Sequence, residues 1–157
     1  MKRSVLAVAV VAASVMAGSA ILSAQKPNDL ITPGATTKAT DANVCAADFE
    51  SSVKPVSNAE RREALKRYGK DSSSYTGELD HLVPVSLGGS NEPDNLWPGP
   101  TNTVYGSADK KALELKLHQV VCDKQISLKD AQKAFRKDWT AAFERYVKNA
   151  PQAAGSR

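Results

Sequence analysis

Residues 77–100 read GELDHLVPVSLGGSNEPDNLWPGP, and this stretch holds most of the information about the fold. Leu79, Leu82, Val83 and Val85 favour a short strand or extended segment that ends at the Leu-Gly-Gly run 87–89. A second short extended segment is predicted at residues 95–97, after the Asn-Glu-Pro-Asp turn. The stretch therefore predicts two short extended segments joined by a glycine-containing turn. We expect Trp97 to pack in the core and not to stack on a nucleic-acid base.

Asp80 and His81 place two different chemical groups on neighbouring residues. A carboxylate is a hard oxygen ligand suited to a cation such as Mg²⁺. An imidazole is mostly neutral at pH 7 and can accept a proton from water. A purely structural interpretation is also open, in which His81 bonds a backbone carbonyl and Asp80 caps a turn. The pair alone does not decide between them.

The context of the pair resembles the HNH endonuclease family and its ββα-metal motif, also called the His-Me finger. Asp-His-Leu-Val-Pro, Leu-Gly-Gly-Ser-Asn and Asn-Leu-Trp-Pro follow the pattern DHLxPLxLGGSN…NLWP of an exported bacterial subgroup. Its tail, KDxLE…VC…AQ…DW, resembles Lys-Lys-Ala-Leu-Glu at 110–114, Val-Cys at 121–122, Ala-Gln at 131–132 and Asp-Trp at 138–139. The resemblance covers roughly residues 44–139. It implies an α+β fold with a small ββα-metal core and additional helices.

The resemblance also implies roles for individual residues. Asp80 would be a metal ligand, His81 the general base that activates water, and Asn95 the residue that ties the loop to the backbone and orients His81. The bound ion would be divalent, Mg²⁺ before Mn²⁺, Zn²⁺ or Ni²⁺. The family has His or Asn early in the following helix, and this chain departs from it there. Asp109 is the best substitute as a metal ligand, although a charge at a helix N-terminus is an equally good interpretation, and Asn102 is a weaker candidate.

Lys110 and Lys111 follow directly and are candidates for phosphate contacts. They could equally be solvated. His118 is the only other histidine and is expected on the surface of its helix.

Three helices flank this region. Ser57 and Glu60 have capping-box spacing, and Gly69 is a suitable helix stop, so a helix is predicted over residues 58–68. Ser107 suits the cap of a second helix. A third helix is predicted from Ser127 to about residue 148, with a wide apolar stripe that favours burial.

The N-terminus predicts export. Lys2 and Arg3 precede an apolar run at 5–17 and small residues at 18–20, the pattern of a secretory signal peptide over residues 1–20. An uncleaved membrane anchor is the alternative, since the apolar stretch extends to Leu22. We expect a secreted, periplasmic or cell-envelope protein. In such a protein Cys45 and Cys122 predict a disulfide.

Composition predicts one domain and limits the choice of partner. Residues 21–43 are rich in Pro, Thr, Ala, Asp and Lys and favour a flexible linker, followed by one HNH-like domain at 44–149 and a disordered tail at 150–157. Removal of residues 1–20 would lower the net charge from +4 to +2, so global charge does not point to nucleic acid. We expect a monomeric, metal-dependent endonuclease acting on DNA in preference to RNA. A catalytically inactive HNH-like protein that binds a partner is the alternative.

Overall fold

The computed structural model describes residues 26–100 and 104–149. It is a mixed fold of helices and one small antiparallel sheet, as the sequence predicts. In chain order the elements are α1 (Asp41–Val44), α2 (Phe49–Ser52), α3 (Asn58–Arg67), β1 (Leu79–His81), two 3-10 turns (Val85–Leu87 and Pro93–Asn95), β2 (Leu96–Pro98), α4 (Ser107–Cys122), α5 (Leu128–Phe143) and a π-helical turn (Glu144–Lys148).

The two strands lie where the sequence predicts extended segments. Asp80 pairs with Trp97 and His81 with Leu96 in antiparallel register. The connection between them is longer than a tight turn, because both 3-10 turns lie within it. Gly89 is required there, since a Cβ at this position would lie 1.8 Å from the carbonyl oxygen of Val83.

Local capping explains the helix bounds. Ser57 and Glu60 form the predicted capping box at the start of α3, and Gly69 follows the helix with a φ of 65°. Ser127 accepts a hydrogen bond from the backbone N–H of Asp130 at the start of α5. At α4 the prediction is wrong by one residue, because Gly106 is the N-cap and Ser107 is the first helical residue.

α5 is not one continuous helix. Asp138 has a φ of −170° and a ψ of 95°, which interrupts the helix inside the stretch predicted as unbroken. Its Oδ1 accepts hydrogen bonds from the backbone N–H groups of Thr140 and Ala141 and from the Thr140 hydroxyl. Asp138 thus acts as the N-cap of a new helical segment that begins at Trp139.

α4 and α5 pack together and enclose the core with the loop after β1. The largest fully buried side chains are aromatic and aliphatic, among them Trp97, Trp139, Phe135, Leu113 and Leu117. Trp97 is 1% exposed, as predicted for a packed aromatic. The predicted disulfide is present and links Cys45, just after α1, to Cys122 at the end of α4. By the chain-entropy model such a long closed loop stabilises the fold by about 4 kcal/mol.

The segment before α1 corrects one prediction. Residues 21–43 are predicted as a flexible linker, but the described part packs on the fold. Gly34 N–H donates to the carbonyl of Asp94, Thr37 N–H donates to that of Gly88, and Thr32 is fully buried. Backbone hydrogen bonds of this kind can be made by polar, low-hydropathy residues, so composition did not reveal them. The ordered unit therefore begins before residue 44.

The predicted signal peptide at 1–20, the tail at 150–157 and Asn102 lie outside the described residues. Within 26–100 and 104–149, no helix has the length and apolar character needed to cross a membrane.

Candidate functional site

β1 carries the Asp80–His81 pair, and the strand geometry separates the two side chains. Successive residues of a strand point to opposite faces. Asp80 lines a small cavity of about 100 Å³ whose other lining residues are Glu78, Ser107, Lys110, Lys111 and Glu114. His81 and Asp109 do not line it. The Asp80 cavity is therefore not shared with the other two predicted site residues.

Asn95 holds the connection between the strands. Its side chain is completely buried, and Oδ1 accepts the backbone N–H of Val83 at 2.8 Å. Its Nδ2 donates to the carbonyls of Val83 and Ser90, both at 2.9 Å. The amide thus joins the chain just after His81 to the chain after the glycine turn, which is the position that the resemblance implies for it.

His81 lies half-buried on the other face, and its orientation is set by Asn91. His81 Nε2 is 2.8 Å from Asn91 Oδ1, and Asn91 Nδ2 donates to the carbonyl of Lys54 at 2.7 Å. Since a carbonyl only accepts, the Lys54 bond fixes which end of the Asn91 amide faces the ring. Oδ1 also only accepts, so Nε2 carries the hydrogen. In the neutral ring, Nδ1 is then the basic nitrogen, and it has no hydrogen-bond partner among the described residues.

A carboxylate lies near this face of the strand. Glu60, at the start of α3, has a pKa below its ordinary value, chiefly because the side chain and backbone of Ser57 hydrogen-bond to it. His81 makes a smaller electrostatic contribution in the same direction.

Asp80 is paired with a buried lysine. Lys110 Nζ lies 2.9 Å from Asp80 Oδ2, and the two side chains are 5% and 23% exposed. The same ammonium donates to the backbone carbonyl of His81 at 2.6 Å and lies 5.3 Å from the centre of the Phe135 ring. Asp80 Oδ2 is buried and receives no well-directed hydrogen bond. The contact is nevertheless an ion pair, because Coulomb attraction at this separation does not require an aimed N–H.

The neighbouring predicted residues have partners of their own. Asp109 Oδ2 accepts a hydrogen bond from the backbone N–H of Gly106 at 3.2 Å. This contact agrees with the interpretation of Asp109 as a charge at the helix N-terminus. Lys111 is 54% exposed and contacts Glu114 at 3.0 Å. Glu114 also accepts from the Ser86 hydroxyl at 2.6 Å. Of the two predicted phosphate contacts, only Lys111 is exposed at the surface.

These side chains do not fit a divalent metal ion in their present arrangement. An octahedral cation needs several oxygen ligands around one point. Asp80 already faces an ammonium group, and Asp109 is turned to its own helix N-terminus. Among residues 26–100 and 104–149, no group of three or more His, Cys, Asp or Glu side chains is arranged to hold a metal.

His118 differs from its prediction as a surface residue. Its Nε2 lies 2.8 Å from the carbonyl oxygen of Val44 and 3.8 Å from Cys122 Sγ, so the ring is half-buried beside the disulfide. A larger groove of about 670 Å³ runs along the outer side of α5 and contains none of the predicted site residues.

Two residues of the candidate site make contacts that the sequence patterns did not predict. Asn91 is part of the quoted Leu-Gly-Gly-Ser-Asn run, but no pattern within it indicates a bond to His81. Lys110 could have been found, because it stands at helical spacing before Leu113 and Leu117 and so lies on the apolar face of α4. A lysine on such a face predicts a buried ion pair.

Comparison of the chain with protein-family models, with curated proteins and with solved structures finds no match. The likeness to HNH endonucleases therefore depends on the motifs of residues 44–139 alone.

Proposed function

We propose that this protein is an exported endonuclease that hydrolyses phosphodiester bonds of nucleic acid, DNA in preference to RNA, with His81 as the proton acceptor. The observation that carries the proposal is the chain of hydrogen bonds that holds the His81 ring through Asn91 to the Lys54 carbonyl. A histidine held through Nε2–H by an amide, which is itself held by the Lys54 carbonyl, offers a defined basic nitrogen at Nδ1. Core packing alone does not require such a chain of hydrogen bonds.

The finer fold is part of the same proposal: β1, β2 and α4 would form the ββα core of an HNH endonuclease. Two contacts support this. Asn95 joins residues 83 and 90, and Lys110 of α4 reaches back to the His81 carbonyl. The disulfide between Cys45 and Cys122 is compatible with export, since disulfides persist in oxidising compartments.

The proposed reaction is attack of water on phosphorus. His81 Nδ1 takes one proton from the water, the new P–O bond forms, and the bond to the leaving oxygen breaks as that oxygen takes a proton from solvent. General-base catalysis of this kind contributes about 10²–10⁴-fold in rate. Mg²⁺ is retained only as a prediction of the resemblance, and no step is assigned to it because Asp80 and Asp109 do not form a site for it.

A second function has its own supporting observation. Asp80 is neutralised by Lys110 and shares no cavity with His81. This arrangement is expected of a protein that has an HNH-like scaffold but does not hydrolyse phosphodiester bonds. In that case the chain would be a binding protein of the cell envelope or the secreted fraction.

Nuclease assays separate the two functions. The full chain, purified with its disulfide intact, is incubated with supercoiled plasmid or labelled RNA in Mg²⁺, in Mn²⁺ and in EDTA. We expect His81→Ala to lower cleavage about 10²–10⁴-fold. His118→Gln, which changes the other histidine and keeps a hydrogen-bonding group, serves as the matched control once circular dichroism shows that both variants fold.

Cleavage that persists in His81→Ala would contradict the assignment. If no condition yields cleavage by wild-type protein, the binding function is supported instead.

A further inference from the structure

We propose that Lys110 occupies the cation position of this site, so that its ammonium supplies at Asp80 the positive charge that the family resemblance assigns to a divalent metal ion. The wild-type protein then binds no divalent ion at Asp80. The role of Lys110 in catalysis rests on the proposed function, whereas the prediction that Asp80 binds no divalent ion does not.

The position of the ammonium is fixed by packing as well as by charge. Lys110 lies one turn before Leu113 on the buried face of α4, and its side chain is only 5% exposed. Its stem therefore cannot swing into solvent without opening the core. At its end, Nζ meets Asp80 Oδ2 at 2.9 Å and the His81 carbonyl at 2.6 Å, with the Phe135 ring 5.3 Å away.

Electrostatics exclude a second cation while the lysine is in place. A divalent ion bonded to Asp80 Oδ2 would lie about 2.0–2.6 Å from that oxygen. It would then be within a few ångströms of Nζ, and like charges at that separation repel strongly in a poorly solvated cavity. The ion would have to displace the lysine, which would leave an ammonium buried without its partner.

The remaining acidic residues of the cavity do not compensate for this repulsion. Glu114 is engaged by the Ser86 hydroxyl at 2.6 Å and by Lys111 at 3.0 Å. Glu78 is the third carboxylate that lines the cavity, and two lysines line it as well. Three carboxylates and two ammonium groups leave the cavity with a net charge of −1 without a metal, so the two lysines offset most of its negative charge.

Lys110 is in this view a positioning residue, because its ammonium contacts the Asp80 carboxylate and the His81 backbone carbonyl. A lysine with a merely structural role would not alter the response of the protein to metal ions. Metal binding is thus the readout that distinguishes the two roles.

The first experiment needs no variant. Mn²⁺ is added in stoichiometric amounts to ¹⁵N-labelled wild-type protein, and paramagnetic broadening of backbone amide signals is mapped. We expect the amides of residues 78–80 and 110 to keep their intensity. Selective loss of these signals at equimolar Mn²⁺ would overturn the proposal.

The second experiment opens the site. Lys110→Met keeps the volume of the stem and frees the Asp80 carboxylate, and free Mn²⁺ is then measured by electron paramagnetic resonance. We expect a gain of at least tenfold in Mn²⁺ affinity over wild type, and loss of that gain in the Asp80→Asn, Lys110→Met double variant. Lys116→Met, which removes a lysine of the same helix that does not line the cavity, is the matched control and should bind as wild type does.

A folded Lys110→Met variant with wild-type Mn²⁺ affinity would contradict the proposal. If that variant does not fold, the amide mapping on wild-type protein decides by itself.

Cleavage assays with a chelator separate this proposal from the proposed function. Cleavage that continues in EDTA supports both. A protein that neither binds Mn²⁺ at Asp80 nor cleaves nucleic acid leaves the inference about Lys110 intact and contradicts the endonuclease. Mn²⁺-dependent cleavage together with broadening at residues 78–80 would support the endonuclease and contradict the inference about Lys110.

Discussion

The two faces of β1 carry adjacent residues in opposite physical environments. On one face, Asp80 is mostly buried and paired with the buried Lys110 ammonium. On the other, His81 is half-buried and held by the neutral amide of Asn91. The strand period of two is the cause, because it sends one side chain toward α4 and the next toward the start of α3.

Asp80 and His81 are neighbours in sequence but do not share a site. On the Asp80 face, a buried ion pair contributes to folding, whereas on the His81 face Asn91 holds a half-buried ring in a defined orientation. Proton transfer is therefore expected on the His81 face, whereas the Asp80 face carries the fixed positive charge of Lys110 and most of the stability. Substitutions on the two faces should separate these contributions.

The largest effect is expected on the closed face. Lys110→Met should lower the free energy of unfolding by about 3–5 kcal/mol, because it leaves the Asp80 carboxylate buried and unpaired. Urea denaturation measures this loss. In Lys111→Met, which removes an exposed partner of Glu114, the loss should be about 0.5 kcal/mol. Equal losses in the two variants would show that the closed face does not depend on its buried pair.

Asn95→Ala should have the next largest effect, since Asn95 supports the loop that connects the two faces. It removes hydrogen bonds to Val83 N–H, to the Val83 carbonyl and to the Ser90 carbonyl, all of them buried. We expect a loss of about 3 kcal/mol in the free energy of unfolding. Hydrogen exchange should show faster exchange at Val83. Unchanged exchange there would mean that another group replaces the Asn95 amide.

Much of the backbone follows from local sequence signals. Ser57 with Glu60 and Gly69 define α3, and Ser127 defines the start of α5, because these caps are settled within a few residues of the chain. The apolar residues near Asp80 and the turn residues at 88–94 place the extended segments, and the two cysteines predict the disulfide. In each case the interactions that decide the structure are local or involve only one possible partner.

The site is less predictable because its contacts join distant residues. The Lys110 ammonium and the Asp80 carboxylate are brought together only when α4 packs beside β1, and Asn91 bonds the backbone of Lys54 from another part of the chain. The packing of residues 32–37 uses backbone groups that every sequence possesses. The interruption of α5 at Asp138 depends on hydrogen bonds from the Asp138 side chain, which replace those of a continuous helix. The amphipathic stripe of the sequence continues through this position and does not indicate the interruption.

A second lysine–carboxylate pair is more exposed than the pair of Asp80 and Lys110, and so shows how burial affects the stability of an ion pair. Lys26 contacts Asp138, and the side chains are 45% and 34% exposed. Burial raises the pKa of Asp138, but hydrogen bonds from Lys26, Thr140 and Ala141 outweigh it and lower the pKa to about 2 from an ordinary value of 3.8. The stabilisation from this charge is complete above the unfolded-state pKa and is lost as the pH falls through about 2.

Asp138→Asn keeps a capping side chain and removes the charge. After allowance for solvent screening, we expect it to lower the free energy of unfolding by about 1 kcal/mol at pH 7. The difference from wild type should shrink as the pH falls below about 4, and it should approach zero below about pH 2. Urea denaturation across this range measures it. A difference that stays constant with pH would assign the loss to altered capping and not to charge.

The smallest stability effect is expected on the open face. His81→Ala removes one hydrogen bond to Asn91 from a half-buried position, and the Asn91 amide can turn to water, so the free energy of unfolding should fall by only about 0.5 kcal/mol. Urea denaturation beside Lys110→Met provides the direct comparison. If His81→Ala destabilises the fold as much as Lys110→Met does, His81 is a structural residue. A small change would mean that the hydrogen bond to Asn91 orients the His81 ring and contributes little to folding. Such a bond is expected where the other ring nitrogen serves as a base, because the bond fixes one tautomer.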